Sequence, residues 1–221
     1  MEYFAKSETD AELHIEGSPD GVKVVRIDGP RSQRLSDLAL HRDDLEFAAA
    51  CLDELNTAPE AARIIREALW RSAIIHFIKC FGDSRGRFQL DADRIYKAEP
   101  PEALAAFAYF RDLRNKHMIH DENSYAQGHS GAVLNRGDKE YKVEQIVCLT
   151  LVASTLEEAN LINLKLLIGK AQAWATSQFD SIRDLLAKEL EQVPYEALFA
   201  MKTLTFRVPD RTEINKTRGK P

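Results

Sequence analysis

The sequence predicts a mainly α protein: an up-and-down bundle of four to five helices, with a small N-terminal β-hairpin and a short C-terminal strand. Three observations carry that expectation. Apolar residues recur every three or four positions over most of the chain, as one buried helix face requires. Pro59, Pro100-Pro101 and Pro194 stand at helix starts, where a missing N–H costs nothing. Two-residue alternation is confined to stretches near the two ends.

Residues 12–27, ELHIEGSPDGVKVVRI, read as two short strands around the turn Ser18-Pro19-Asp20-Gly21. A helix is expected over His41–Asn56, with Asp43 and Asp44 in the first turn, where the helix dipole favours them. The next runs from Pro59 to Phe81 and is apolar almost all round from Ala73. His76 shares its face with Ile65, Leu69 and Cys80, which reads as core packing. Pro100-Pro101 opens the helix that carries FRDLRNKHMIH, residues 110–120. Ser124–Lys142 contains Gly128, Gly131 and Asn135-Arg136-Gly137-Asp138 and reads as a long loop or small hairpin. Glu144–Leu167 is then expected as a long apolar helix ending near Gly169, followed by a helix over Ser177–Gln192 and a short coda from Pro194 to Met201. Leu204–Val208 has strand character and could join the N-terminal pair. The chain thus divides into an arm (1–37), a bundle (38–202), and a strand with a polar tail (203–221).

A length of 221 residues suffices for a sizeable core, and 44% hydrophobic with 29% charged residues is ordinary for a folded protein. The net charge of −5 argues against a broad basic surface that coats nucleic acid. No apolar run approaches a membrane span and the N-terminus has no signal-peptide core, so a cytoplasmic protein with no membrane contact is expected. Cys51, Cys80 and Cys148 lack metal spacing and read as reduced core residues in helices. There is no glycine-rich phosphate loop, metal-spaced Cys/His set or recognisable nucleophile context, so no cofactor or metal is expected.

One stretch breaks the pattern. On a helix of 100° per residue, Leu104, Phe107, Ala108, Phe110 and Met118 share a broad arc, and Asp112 and Lys116 lie opposite. Arg114 and Asn115 fall inside the apolar arc. A guanidinium there needs a partner or a cavity. One reading is a buried Arg–carboxylate tie between helices; the other is a site built with His117 and His120. Arg114 and His120 lie about 120° apart around a straight α-helix, so joining them needs a reaching arginine, a helix that ends near His120, or a second copy of the helix.

Arg114-Asn115-Lys116-His117-Met118-Ile119-His120 resembles the R-x(4–6)-H motif of HEPN (higher eukaryotes and prokaryotes nucleotide-binding) domains, including the polar residue after the arginine. FRDLRNKHMIHDENSY is similar in flavour to abortive-infection members of that superfamily, and the resemblance covers roughly 38–192. It implies a HEPN-like bundle and a metal-independent endoribonuclease that works in phage defence or as a toxin, restrained by an antitoxin. It implies a homodimer with its cleft between two motif helices and RNA as substrate. By the same carry-over Arg114 stabilises the transition state, His120 moves the proton and Asn115 orients, with His117 as a rival base and Asp121 as a group that sets a histidine tautomer. The chemistry suits these residues: histidine titrates near neutrality, and arginine's fork matches phosphate oxygens. The alternatives are a non-catalytic nucleotide- or partner-binding module and a purely structural bundle.

Overall fold

The computed structural model describes residues 3–4, 14–15, 18, 20–120, 122–205, 209 and 211–217. The chain is mainly helical. It divides into two compact units: residues 1–42, 83–89 and 175–221 in one, and 43–82 with 90–174 in the other. Two of the four boundaries fall inside long helices, α1 (Pro30–Thr57) and α5 (Glu158–Leu190).

In the first unit β1 (Tyr3–Phe4) pairs antiparallel with β2 (His14–Ile15). This differs from the expected hairpin over 12–27. The turn forms, with the Gly21 N–H donating to the Ser18 carbonyl at 3.0 Å, but the strand beyond it pairs elsewhere. Val25 bridges Thr203, flanked by Arg26 N–H to Lys202 O at 2.8 Å and Leu204 N–H to Val24 O at 2.9 Å. The bridge falls at Thr203, one residue before the expected strand Leu204–Val208, of which Leu204 and Thr205 form no strand and 206–208 lie outside the described residues. Helix α1 begins eleven residues before the expected His41, at Pro30, after Gly29 at φ 111°, a left-handed turn that glycine adopts without strain. Its polar first half hid it. α6 (Tyr195–Ala200) follows Pro194 as its proline promised, and Lys23 Nζ donates to the Met201 carbonyl at 2.8 Å.

The second unit holds the motif. Leu45, Ala48, Leu52 and Leu55 of α1 are buried, as are Trp70, Ala73, Ile74 and Phe77 of α2 (Arg63–Lys79). α2 starts four residues after Pro59, because Pro59–Ala62 closes a turn of its own, with Ala62 N–H bonded to Pro59 O. The short α3 (Ala92–Ile95) is capped by Asp91, whose carboxylate accepts from the Arg94 N–H. α4 (Pro101–Asp112) buries Phe107 and Phe110. Phe107 meets Phe77, Phe81 and Tyr96, and Phe110 meets Trp70, with ring centroids 4.7–6.0 Å apart, so aromatic edge-to-face packing fixes α4 in the core. The start of α5 closes it with Leu164, Leu167, Ile168 and Ala171.

Two expectations fail here. Residues 144–152 are not helical: β4 (Val143–Val152) pairs antiparallel with β3 (Ala126–Leu134) in a hairpin. A short apolar run fits either period, and Val143, Ile146, Val147, Thr150 and Val152 are the β-branched residues that favour a strand. The helices expected around Gly169 and from Ser177 are instead one 33-residue α5, because a single interior glycine costs only about 1 kcal/mol against alanine. Cys51 and Cys80 are buried as expected, whereas Cys148 is exposed on β4. His76 is not in the core: its Nδ1 lies 2.8 Å from Asp44 Oδ1, which also accepts from Lys79 Nζ at 2.9 Å.

Candidate functional site

The polar stretch occupies a departure from α geometry. After Asp112 the helix widens into a π-helix, Leu113–Ile119, whose N–H groups reach back five residues instead of four. The His120 N–H closes it on the Asn115 carbonyl at 3.2 Å, so His120 stands one wide turn beyond Asn115. Such turns concentrate at functional sites. Here the turn keeps Leu113 buried while Arg114, Asn115, His117 and Met118 are half-buried and Lys116, Ile119 and His120 are exposed. Asp112 and Lys116 face solvent, as the helical wheel predicts.

Arg114 Nη1 donates to Asn115 Oδ1 at 2.8 Å. Among the described residues no carboxylate pairs with Arg114, so the helix–helix ion tie has no second member there. The bond orients the guanidinium and leaves the Asn115 amide nitrogen as a donor. Two buried nitrogens, Arg114 Nε and His117 Nδ1, have no hydrogen-bond partner among the described residues. Asp121 lies outside the described residues.

Residues that sequence reasoning passed over support the motif from behind. The Tyr125 ring sits against His117, centroids 5.5 Å apart and inclined at 66°. Tyr109 of α4 lies close enough to Tyr125 to feel its hydroxyl. Asn160 Nδ2 donates to the Tyr109 hydroxyl at 3.3 Å and to the Thr155 carbonyl at 3.0 Å. Trp70 Nε1 donates to Thr155 Oγ1 at 3.0 Å. A polar chain therefore runs from the core indole through Thr155 and Asn160 to the Tyr109 hydroxyl. Burial first, then the neighbouring Tyr125, pushes the Tyr109 hydroxyl up to about 12, so Tyr109 stays a neutral donor across the physiological range. The signal that could have pointed to this arrangement was Thr155-Leu156-Glu157-Glu158, a helix-start pattern that separates β4 from α5.

Two clefts, of about 430 and 540 Å³, lie elsewhere, and none of Arg114, Asn115, His117 or His120 lines either. The first is bordered by Arg63, Arg66 and Arg71. Arg66 is bonded to the Leu55 and Ala58 carbonyls and Arg71 to Glu67. Among the described residues no group of three or more His, Cys, Asp or Glu gathers as a metal site would, and no helix is long and apolar enough to cross a membrane.

No family model matches the chain, and neither a curated protein nor a solved structure matches it significantly.

Proposed function

We propose that the chain is a metal-independent endoribonuclease of the HEPN type, acting as a toxin or in phage defence. The observation that carries this reading is the Arg114–Asn115 bond on a π turn that ends at the exposed His120. A guanidinium held by an amide keeps its full charge for a phosphate, which a carboxylate partner would neutralise.

In this reading His120 accepts the proton of an RNA 2′-hydroxyl, and the 2′-oxygen attacks the adjacent phosphorus. Arg114 holds the charge that grows on the non-bridging oxygens, with the Asn115 amide donating beside it. The 5′-oxygen leaves with a proton, and the products are a 2′,3′-cyclic phosphate and a 5′-hydroxyl. One motif offers two histidines, His117 and His120, but only His120 is exposed; His117, braced by Tyr125, acts as a positioning residue. A homodimer with two motifs face to face supplies a second His120 as the acid, and an antitoxin would restrain the open site.

A binding module without cleavage is the second reading. It is favoured by the balance of charge around the motif, where Arg111 sits 3.8 Å from Asp112 and both are exposed.

Purified protein incubated with total RNA in excess chelator, with labelled-RNA binding measured on the same samples, tests both. Arg114→Ala and His120→Ala are each expected to slow cleavage at least about 100-fold, at melting temperatures close to wild type. Well-folded wild type that binds RNA without cutting it selects the binding module. A large fall in the melting temperature of Arg114→Ala supports the structural reading.

A further inference from the structure

A cleft of about 430 Å³ opens where the first turns of α2 meet segment 152–156, which leads from β4 to α5. All of it belongs to the unit that carries the motif. Its charged lining is Arg63, Arg66 and Arg71 with Glu60 and Glu67. The three guanidiniums are not equivalent. Arg71 Nε donates to Glu67 Oε1 at 2.7 Å, and that pair is neutral. Arg66 is half-buried, and its Nη1 donates to the Leu55 and Ala58 carbonyls at 2.8 and 3.0 Å. Carbonyls fix the guanidinium without cancelling its charge, and the N–H groups on Nε and Nη2 have no bonding partner among the described residues. Arg63 is exposed and makes no ion pair among the described residues, and the same holds for Glu60, whose charge water screens. With Glu67 set against Arg71 and Glu60 against Arg63, one positive charge is left over. It sits on Arg66, the arginine that is held in place.

The cleft adjoins the motif through one residue. Ala153, in its lining, donates its N–H to the Tyr125 carbonyl at 2.7 Å, and the Tyr125 ring lies against His117 with centroids 5.5 Å apart. A short stretch of single-stranded RNA spans such a separation. The lining holds no aromatic ring on which a base could stack, whereas the arginine fork matches phosphate oxygens. A net charge of −5 confines RNA contact to places where positive charge is local, and this cleft is one. We propose that the cleft holds a backbone phosphate of the same RNA strand that lies at the motif, with Arg66 as its fixed contact and Arg63 completing the grip from the solvent side. The inference rests on the ribonuclease reading in taking RNA as the ligand, and it adds a second anchor a few nucleotides from the cut. Strands long enough to reach both places are therefore preferred.

Fluorescence anisotropy of the full chain with a labelled, 2′-O-methylated single strand of about 12 nucleotides tests this. That strand has no 2′-hydroxyl to attack, so binding is read apart from cleavage. Arg63→Ala is expected to weaken binding about fivefold and to flatten the slope of log affinity against log salt by about 0.7, the share of one phosphate contact on a single strand. Arg63→Glu weakens it further. Arg63 is exposed and unpaired, so both variants melt as wild type does. Arg114→Ala lowers affinity separately, and the double variant with Arg63→Ala shows the product of the two losses, as two independent contacts require. Binding that Arg114→Ala weakens and neither Arg63 variant changes overturns the cleft and leaves the ribonuclease reading standing. Wild type that binds no RNA overturns both. An Arg63→Ala loss that vanishes in the Arg114→Ala background also overturns the cleft, because Arg63 would then act through the motif. So does displacement of the strand by millimolar inorganic phosphate at constant ionic strength, which assigns the cleft to free phosphate.

Discussion

The motif helix and the hairpin after it are neighbours in sequence but sort their side chains in opposite ways. α4 turns Phe107 and Phe110 into an aromatic core and leaves Arg111 and Asp112 in water. The hairpin is richer in β-branched and aliphatic residues, yet Leu149 and Ile146 stay exposed. The difference teaches that hydrophobicity states a demand for cover, and only tertiary geometry says where the cover comes from. For α4 it comes from α2 and from the Phe81 and Tyr96 rings. For β4 nothing among the described residues supplies it.

Truncation separates the two regions most. Phe110→Ala removes a fully buried ring packed on Trp70 and is expected to cost about 3–5 kcal/mol, whereas Leu149→Ala in the isolated subunit stays within about 0.5 kcal/mol. Denaturant unfolding of the two variants checks this. A large loss from Leu149→Ala would mean that the hairpin is covered within one chain.

A smaller effect sharpens the contrast through pH. Burial raises the Tyr96 hydroxyl, which donates to the Leu167 carbonyl at 3.0 Å, and raises Tyr109 to about 12. The folded state therefore favours both protonated phenols. Their contribution is complete below pH ~10, the unfolded value, and is lost as the unfolded chain ionises first and pH climbs through about 12. Thermal melts from pH 8 upward should show Tyr109→Phe and Tyr96→Phe flattening this alkaline decline, with Leu149→Ala leaving it unchanged. An alkaline limb identical in all of them would remove the core phenols as its cause.

The smallest effect lies in α5. A Cβ built on Gly169 meets nothing within 4 Å, so Gly169→Ala is expected to stabilise by about 0.5–1 kcal/mol, read as a rise in the denaturant midpoint. A destabilised variant would show that the helix needs the glycine for a close approach.

Much of the site was legible because its signal is local. Arg114 and Asn115 were out of place on any helical wheel, and the structure bonds them to one another. The spacing problem between Arg114 and His120 was also real, and a π turn is the local departure that falls on it. The Tyr125 ring against His117 and the bonds among Tyr109, Asn160 and Thr155 were not legible, since each is a contact with no fixed offset in sequence. Periodicity found α2 and α4, and proline placed α6. It failed at 144–167, where an apolar run has no period of its own.

By itself the sequence determined the mainly helical class, the starts at Pro101 and Pro194, and the oddity of the 114–120 stretch. Each depends on interactions within a turn or two of chain, which propensity, proline and side-chain spacing encode directly. Tertiary structure alone decided that 143–152 is a strand, that α5 is continuous past Gly169, that Val25 finds Thr203, and that the Tyr125 ring packs on His117. Those outcomes turn on which distant surface is available to cover an apolar face or satisfy a backbone group, a competition whose energies appear only once the chain has closed on itself.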